Sequence, residues 1–225
     1  SVPISLTVSG ESNSLALPFI DIGESENGIV ILPDTIDPLF SLIAERYTHI
    51  LAPNGEVIPI LAQNNITDRQ IIHVRGILSD YLSDVKGTIW GNNKNTVSNA
   101  IALSNAILLI LNDESEYENP DLGALFDAGA KVQGLLSTEI FTEGSAAYMD
   151  SSLRDASYEN ILHFVNVFGI QNALPSMQSA IIQAMNYSIN NNNYNPNSEL
   201  PEEDYDEEYF AIALETYFGL WAHDP

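Results

Sequence analysis

The segment Ala106-Ile107-Leu108-Leu109-Ile110-Leu111 holds no polar residue and is closed on both sides by asparagine. Such a short, unbroken apolar run reads as a strand buried inside a sheet. A second constraint lies upstream. Ile71, Ile72, Val74, Ile77, Leu78, Tyr81 and Leu82 recur at helical spacing, and Thr67-Asp68 before them is a helix cap. A buried strand beside an amphipathic helix (Arg69 to Val85) points to a mixed α and β fold.

The remaining pattern divides near residue 150. Before it the chain is strand-rich. Val2 to Val8 alternates apolar and polar residues, and Leu15 to Ile22 and Gly28 to Leu32 are short apolar runs between turn residues. Asp37-Pro38 opens a helix expected to run to about His49. Asn54-Gly55 is a hairpin-type turn leading into a strand from Glu56 to Leu61. A helix is expected over 96–104, and strands over Thr138 to Phe141 and Ala146 to Met149. Between them lies an acidic loop, Asp113 to Asp121, without the residue order of an EF-hand. After residue 150 the expected helices span about 154–168, 174–190 and 204–221. The fold class expected is therefore α+β, with strands and interspersed helices in the first two-thirds and a helical last third. It forms one domain with lobes of about 1–150 and 151–225.

Charge narrows the partners. The chain has 31 Asp and Glu against 7 Lys and Arg, a net charge of −24. Such a surface repels nucleic acid and anionic lipid and attracts cations and basic protein surfaces. The Gly91-to-Asn95 loop lacks phosphate-loop spacing, which removes nucleotide binding. With no cysteine, thiolate metal sites, disulfides and cysteine nucleophiles are excluded. No segment has the ~20 apolar residues of a membrane span. A start at Ser1 reads as a processed, mature terminus and hence a secreted, extracellular protein. The sequons at Asn65 and Asn186 are candidate glycosylation sites in such a setting.

Four histidines limit any imidazole chemistry: His49, His73, His163 and His223. Glu159 and His163 stand four apart in Tyr158-Glu159-Asn160-Ile161-Leu162-His163-Phe164, so they share a helix face. About 50 residues on, a second helix carries Glu208 and Glu215 seven apart, again on one face.

This layout resembles the gluzincin branch of zinc metallopeptidases over about residues 145–221. Those enzymes set two His at i and i+4 on one helix and complete the site with a Glu from a later helix. It is also similar to a secreted bacterial group in which a Glu-Glu-Ile-Leu-His-Leu-Val-His helix precedes a Tyr-Tyr-Gly-Leu-Trp ending. Tyr217-Phe218-Gly219-Leu220-Trp221 matches that ending. The resemblance implies a zincin-like fold and a divalent metal ion, zinc before calcium, on His163, Glu159 and Glu215, with His73 as a further ligand. The His-Glu-x-x-His motif itself is degenerate. Glu159 stands where the first His would be, and Asn160 where the catalytic Glu would be, and an amide cannot deprotonate a zinc-bound water. The expected protein is thus a metal-binding relative of metal-dependent peptidases in which the general base is missing. The competing expectation is an acidic extracellular protein that binds Ca²⁺, a basic partner or mineral through its clusters at 113–121 and 199–208. If Glu215 is no ligand, Arg75 or Arg154 is its expected partner; His73, likewise, would pair with a carboxylate.

Overall fold

A computed structural model describes residues 15–150, 152–198 and 200–219. The expected strand from Val2 to Val8 lies outside the described residues, as do Glu199, Leu220, Trp221 and His223. The fold is α+β: a five-stranded mixed sheet with helices in the N-terminal part, followed by a helical last third.

The strands lie in chain order across the sheet: β1 (Val30–Ile31), β2 (Arg46–Leu51), β3 (Val57–Ala62), β4 (Ala106–Leu111) and β5 (Lys131–Leu136). The first three are antiparallel, and β3, β4 and β5 run parallel. Every residue of β4 is buried, as its composition demands of a central strand covered on both faces. Its side chains alternate between two cores. Ala106, Leu108 and Ile110 face one together with Ile58, Ile60 and Ala62. Ile107, Leu109 and Leu111 face the other with Tyr47 and Leu61.

Helices cover both faces. On the first lie α2 (Asp68–Leu82), α3 (Asn95–Leu103) and, after a gap, α5 (Ser157–Val165). On the second lie α1 (Pro38–Ile43) and α4 (Pro120–Asp127). Thr67 caps α2 in a reciprocal capping box with Gln70. A π-helical turn (Asn166–Ile170) extends α5 and leads through α6 (Gln171–Ala173) to α7 (Pro175–Asn190), and α8 (Tyr205–Phe218) returns to pack on α5 and α7. At Gly169 the π turn meets α3 so closely that a Cβ would sit 2.7 Å from Val97 Cγ1. No helix among the described residues is long and apolar enough to cross a membrane.

Several local expectations change. The helix opened by Asp37-Pro38 stops at Ile43, and Arg46–Leu51 is a strand. Ala44 turns extended, and pairing with β3 buries Tyr47 and Thr48 opposite Leu61 and Ile60. Sheet burial outweighs the helical reading there. Leu15 to Ile22 is irregular. The end of the acidic segment is the start of α4, with Asn119 as N-cap and Pro120 at the first position. The last parallel strand is β5 rather than Thr138 to Phe141, which holds a 3-10 turn over Ser137–Glu139, and Ala146 to Met149 is a turn.

Candidate metal centre

The apolar face of α5 carries Ile161, Leu162, Phe164 and Val165 into the first core. That docking fixes the helix's rotation and leaves Glu159 and His163, one turn apart, on the side met by α8. Helix α8 buries Ala211 and Glu215, four residues apart, so the face shared with Glu208 is the one toward α5.

Three ligand-type side chains converge there. His163 Nε2 lies 3.8 Å from Glu159 Oε1 and 3.6 Å from Glu208 Oε1. One donor atom from each of Glu159, His163 and Glu208 lies within 4.8 Å of the others, and no further group of this kind occurs among the described residues. Two donors about 2.0–2.2 Å from one ion at near-tetrahedral angles stand roughly 3.3–3.6 Å apart, so small side-chain adjustments would seat an ion. The three residues line a cleft of about 490 Å³ that also includes Gln133, Glu139, Arg154, Asn160 and Glu207.

A second layer stands behind the donors. His163 Nδ1 faces Glu207 Oε2 at 3.9 Å, and Glu207 Oε1 accepts a hydrogen bond from Gln171 Nε2 at 2.9 Å. Glu159 Oε2 accepts from Arg154 Nη1 at 2.6 Å, leaving Oε1 on the His163 side. The donor behind the Glu159 carboxylate is the kind of support that orients a metal ligand, while Glu207 stands behind the imidazole beyond hydrogen-bond distance.

The electrostatics are those of excess acid, with Arg154 the cation paired to Glu159 and Glu215. Burial works against the His163 cation, yet Glu159, Glu208 and Glu207 outweigh it and raise its pKa above the ordinary 6.5. The facing His163 imidazole, with Arg154, holds Glu159 below the usual carboxylate range despite burial. Glu207 and Glu208 move upward, first through burial and then through neighbouring acids. The same three carboxylates that favour the protonated imidazole would favour a bound cation, so proton and metal ion compete for His163.

The sequence-derived set is only partly assembled. Glu159 and His163 come together, and Glu208, not Glu215, is the third donor beside them. Glu215 is 3 % exposed and accepts from Arg154 Nη1 at 2.8 and 2.7 Å through its two oxygens. His73 Nε2 contacts Asp155 Oδ2 at 2.8 Å, with its ring edge-on to Tyr158. Asp155 in turn accepts from the backbone of Ser157 at the start of α5, so His73 ties α5 to α2. Arg75 bonds to neutral oxygens, Thr48 Oγ1 and the carbonyls of Gly28 and Asn27. Asn65 is exposed between β3 and α2, and Asn186 is exposed within α7. In the acidic segment, Asp113 caps a 3-10 turn, and Glu116 accepts from Gln63 and Asn119. Glu208 was visible in the sequence as Glu215's partner on one face; the choice between them was not.

No protein-family model, no curated protein and no solved structure matches the chain.

Proposed function

We propose that this protein binds a divalent metal ion between α5 and α8, with Glu159, His163 and Glu208 as its protein ligands. The observation that carries this reading is the convergence of those three donor atoms in a cleft. The donor set fits the group: one imidazole nitrogen and two carboxylate oxygens suit Zn²⁺, and Mn²⁺ as a harder competitor. When bound, the ion would supply a fixed positive charge. The chain's own residues hold and orient: Gln171 steadies Glu207 behind the imidazole, and Arg154 steadies Glu159.

We place the protein as a zincin-like, non-catalytic metal-binding relative of metallopeptidases. The Glu159-to-His163 spacing on one helix and the acid from a later helix support the kinship. Asn160 supports the loss of catalysis. Its side chain donates to the Ala156 carbonyl at 3.2 Å, and no carboxylate stands at that position to take a proton.

Elemental analysis of untagged protein purified without chelator tests the site. About one equivalent of transition metal is expected in the wild type and in Glu215→Gln, with loss in His163→Ala and in Glu208→Gln. Native protein that carries no transition metal, and takes up none on dialysis against Zn²⁺, would refute the assignment.

A further inference from the structure

A second cleft, of about 450 Å³, lies away from the α5–α8 pair, at the end of the sheet where β1, β3 and β4 finish. The topology makes it. The chain leaving β3 goes to α2 on the first face, and the chain leaving β4 goes to α4 on the second. Adjacent parallel strands whose connections part to opposite faces open a crevice beyond their carboxyl ends, the usual ligand position in open α/β sheets. In most such sheets a reversal of strand order produces this. Here both crossovers step the same way across the sheet, β3 to β4 to β5, so their opposite faces give them opposite hands. One departs from the right-handed rule, and the crevice is the result.

The two walls differ in chemistry. On one side stand Ile31 and Leu42, large apolar side chains that are 71 % and 57 % exposed. On the other stands Glu116, half-buried, with Oε2 accepting from Gln63 Nε2 at 2.9 Å and Asn119 Nδ2 at 3.0 Å. Gln63 is itself 7 % exposed and fixed by accepting from the Asn112 backbone at 2.7 Å. Neutral amides thus position the carboxylate. Among the described residues no cation lies in ion-pair contact with it, and the cleft has no Lys, Arg or His in its lining. Asp34 and Glu45 add charge of the same sign at the rim. A half-buried carboxylate without a counter-ion favours a cationic ligand. The exposed apolar side chains in the same lining favour one with a hydrocarbon part, and the volume is that of a small-molecule site.

We propose that this cleft binds a small organic ammonium ion, its N–H groups donating to Glu116 and its short apolar chain lying against Ile31 and Leu42. The site is independent of the metal centre and of the function proposed for it.

The test is a titration of isotope-labelled protein with n-butylammonium chloride, followed by amide NMR in about 0.15 M salt to screen diffuse attraction to the acidic surface. Saturable shifts are expected at Gln63, Asn64, Asn112 and Asn119, with weaker response to n-butanol at equal concentration. Glu116→Gln should weaken binding about tenfold or more. Glu56→Gln, at the opposite end of β3, should leave it unchanged. Because Glu116 also fixes Gln63, Ser41→Phe provides a second variant: it fills the cleft without altering charge and should abolish the shifts. Non-saturating shifts spread over the acidic surface would overturn the proposal. So would equal binding by the Glu116 and Glu56 variants, or unchanged binding in Ser41→Phe.

Discussion

Replacing Arg154 by Met removes the cation that joins α5's leading edge to α8. Arg154 Nη1 donates to Glu159 and to both oxygens of Glu215. Its own side chain is 26 % exposed, whereas that of Glu215 is 3 % exposed. The partners are therefore unequal. Without Arg154, Glu215 keeps a buried charge that has lost its bidentate donor, and breaking a buried pair this way costs about 3–5 kcal/mol. Solvent access on the Arg154 side places the expected loss at the lower end, about 3 kcal/mol. For 225 residues, an unfolding entropy near 2.1 cal/mol/K per residue converts that to about 6 °C in Tm. Glu215→Gln leaves Arg154 partly solvated and still paired with Glu159, so its cost should be about 1 kcal/mol. The double variant Arg154→Met, Glu215→Leu removes both charges and should recover most of the loss, since an apolar replacement of a buried pair is often neutral. Urea denaturation at pH 7 of the four proteins gives the cycle. A cost below about 1 kcal/mol for Arg154→Met, or one equal to that of Glu215→Gln, would refute the inequality of burial on which the reasoning rests.

Stability and metal affinity should run in opposite directions with pH at His163. Its folded pKa is raised, so the proton it holds stabilises the metal-free fold fully below about 6.5 and that contribution is lost as pH rises through the folded value. His163→Gln should flatten this part of a pH series of urea midpoints. Zn²⁺ affinity, measured by competition with a chromophoric chelator, should fall about tenfold per pH unit below the folded pKa and level off above it. Gly169→Ala forces a methyl against Val97 and Ile101 and should cost about 1–3 kcal/mol in urea denaturation. Phe164→Ala empties a fully buried site under α5; a loss of about 3–5 kcal/mol is expected in the same assay.

What the sequence disclosed follows from how local each signal is. The run 106–111 and the periodic residues from Ile71 to Leu82 carry their own pattern, and β4 and α2 form where that pattern places them. Arg46–Leu51 does not. It continues the helix pattern opened at Asp37-Pro38, and pairing with β1 and β3 makes it a strand. Pro120 at the start of α4 repeats the signature of Asp37-Pro38, but it sits inside an acidic run that reads as loop. Strand β5 is interrupted by Gly134, which weakens a strand pattern. In the structure the ring end of Tyr117 lies over it, and a Cβ would meet Tyr117 Oη at 2.7 Å unless that exposed side chain moved.

The candidate site divides along the same line. Glu159 and His163 are four apart on one helix, so their proximity is a property of the helix itself. Glu208 and Glu215 are seven apart on another, which puts both on the face toward α5 and leaves their selection to the axial offset between the helices. No local pattern records that offset. Arg154 then separates the roles: it binds Glu215 and one oxygen of Glu159, while Glu208 and the other Glu159 oxygen face His163. One guanidinium cannot neutralise the four carboxylates gathered between α5 and α8, and the upward pKa shifts of Glu207, Glu208 and His163 are the mark of that excess. A divalent ion would answer that excess at a point where small side-chain adjustments bring the donor atoms to ligand spacing. This ties the charge imbalance and the geometry to the same proposed occupant.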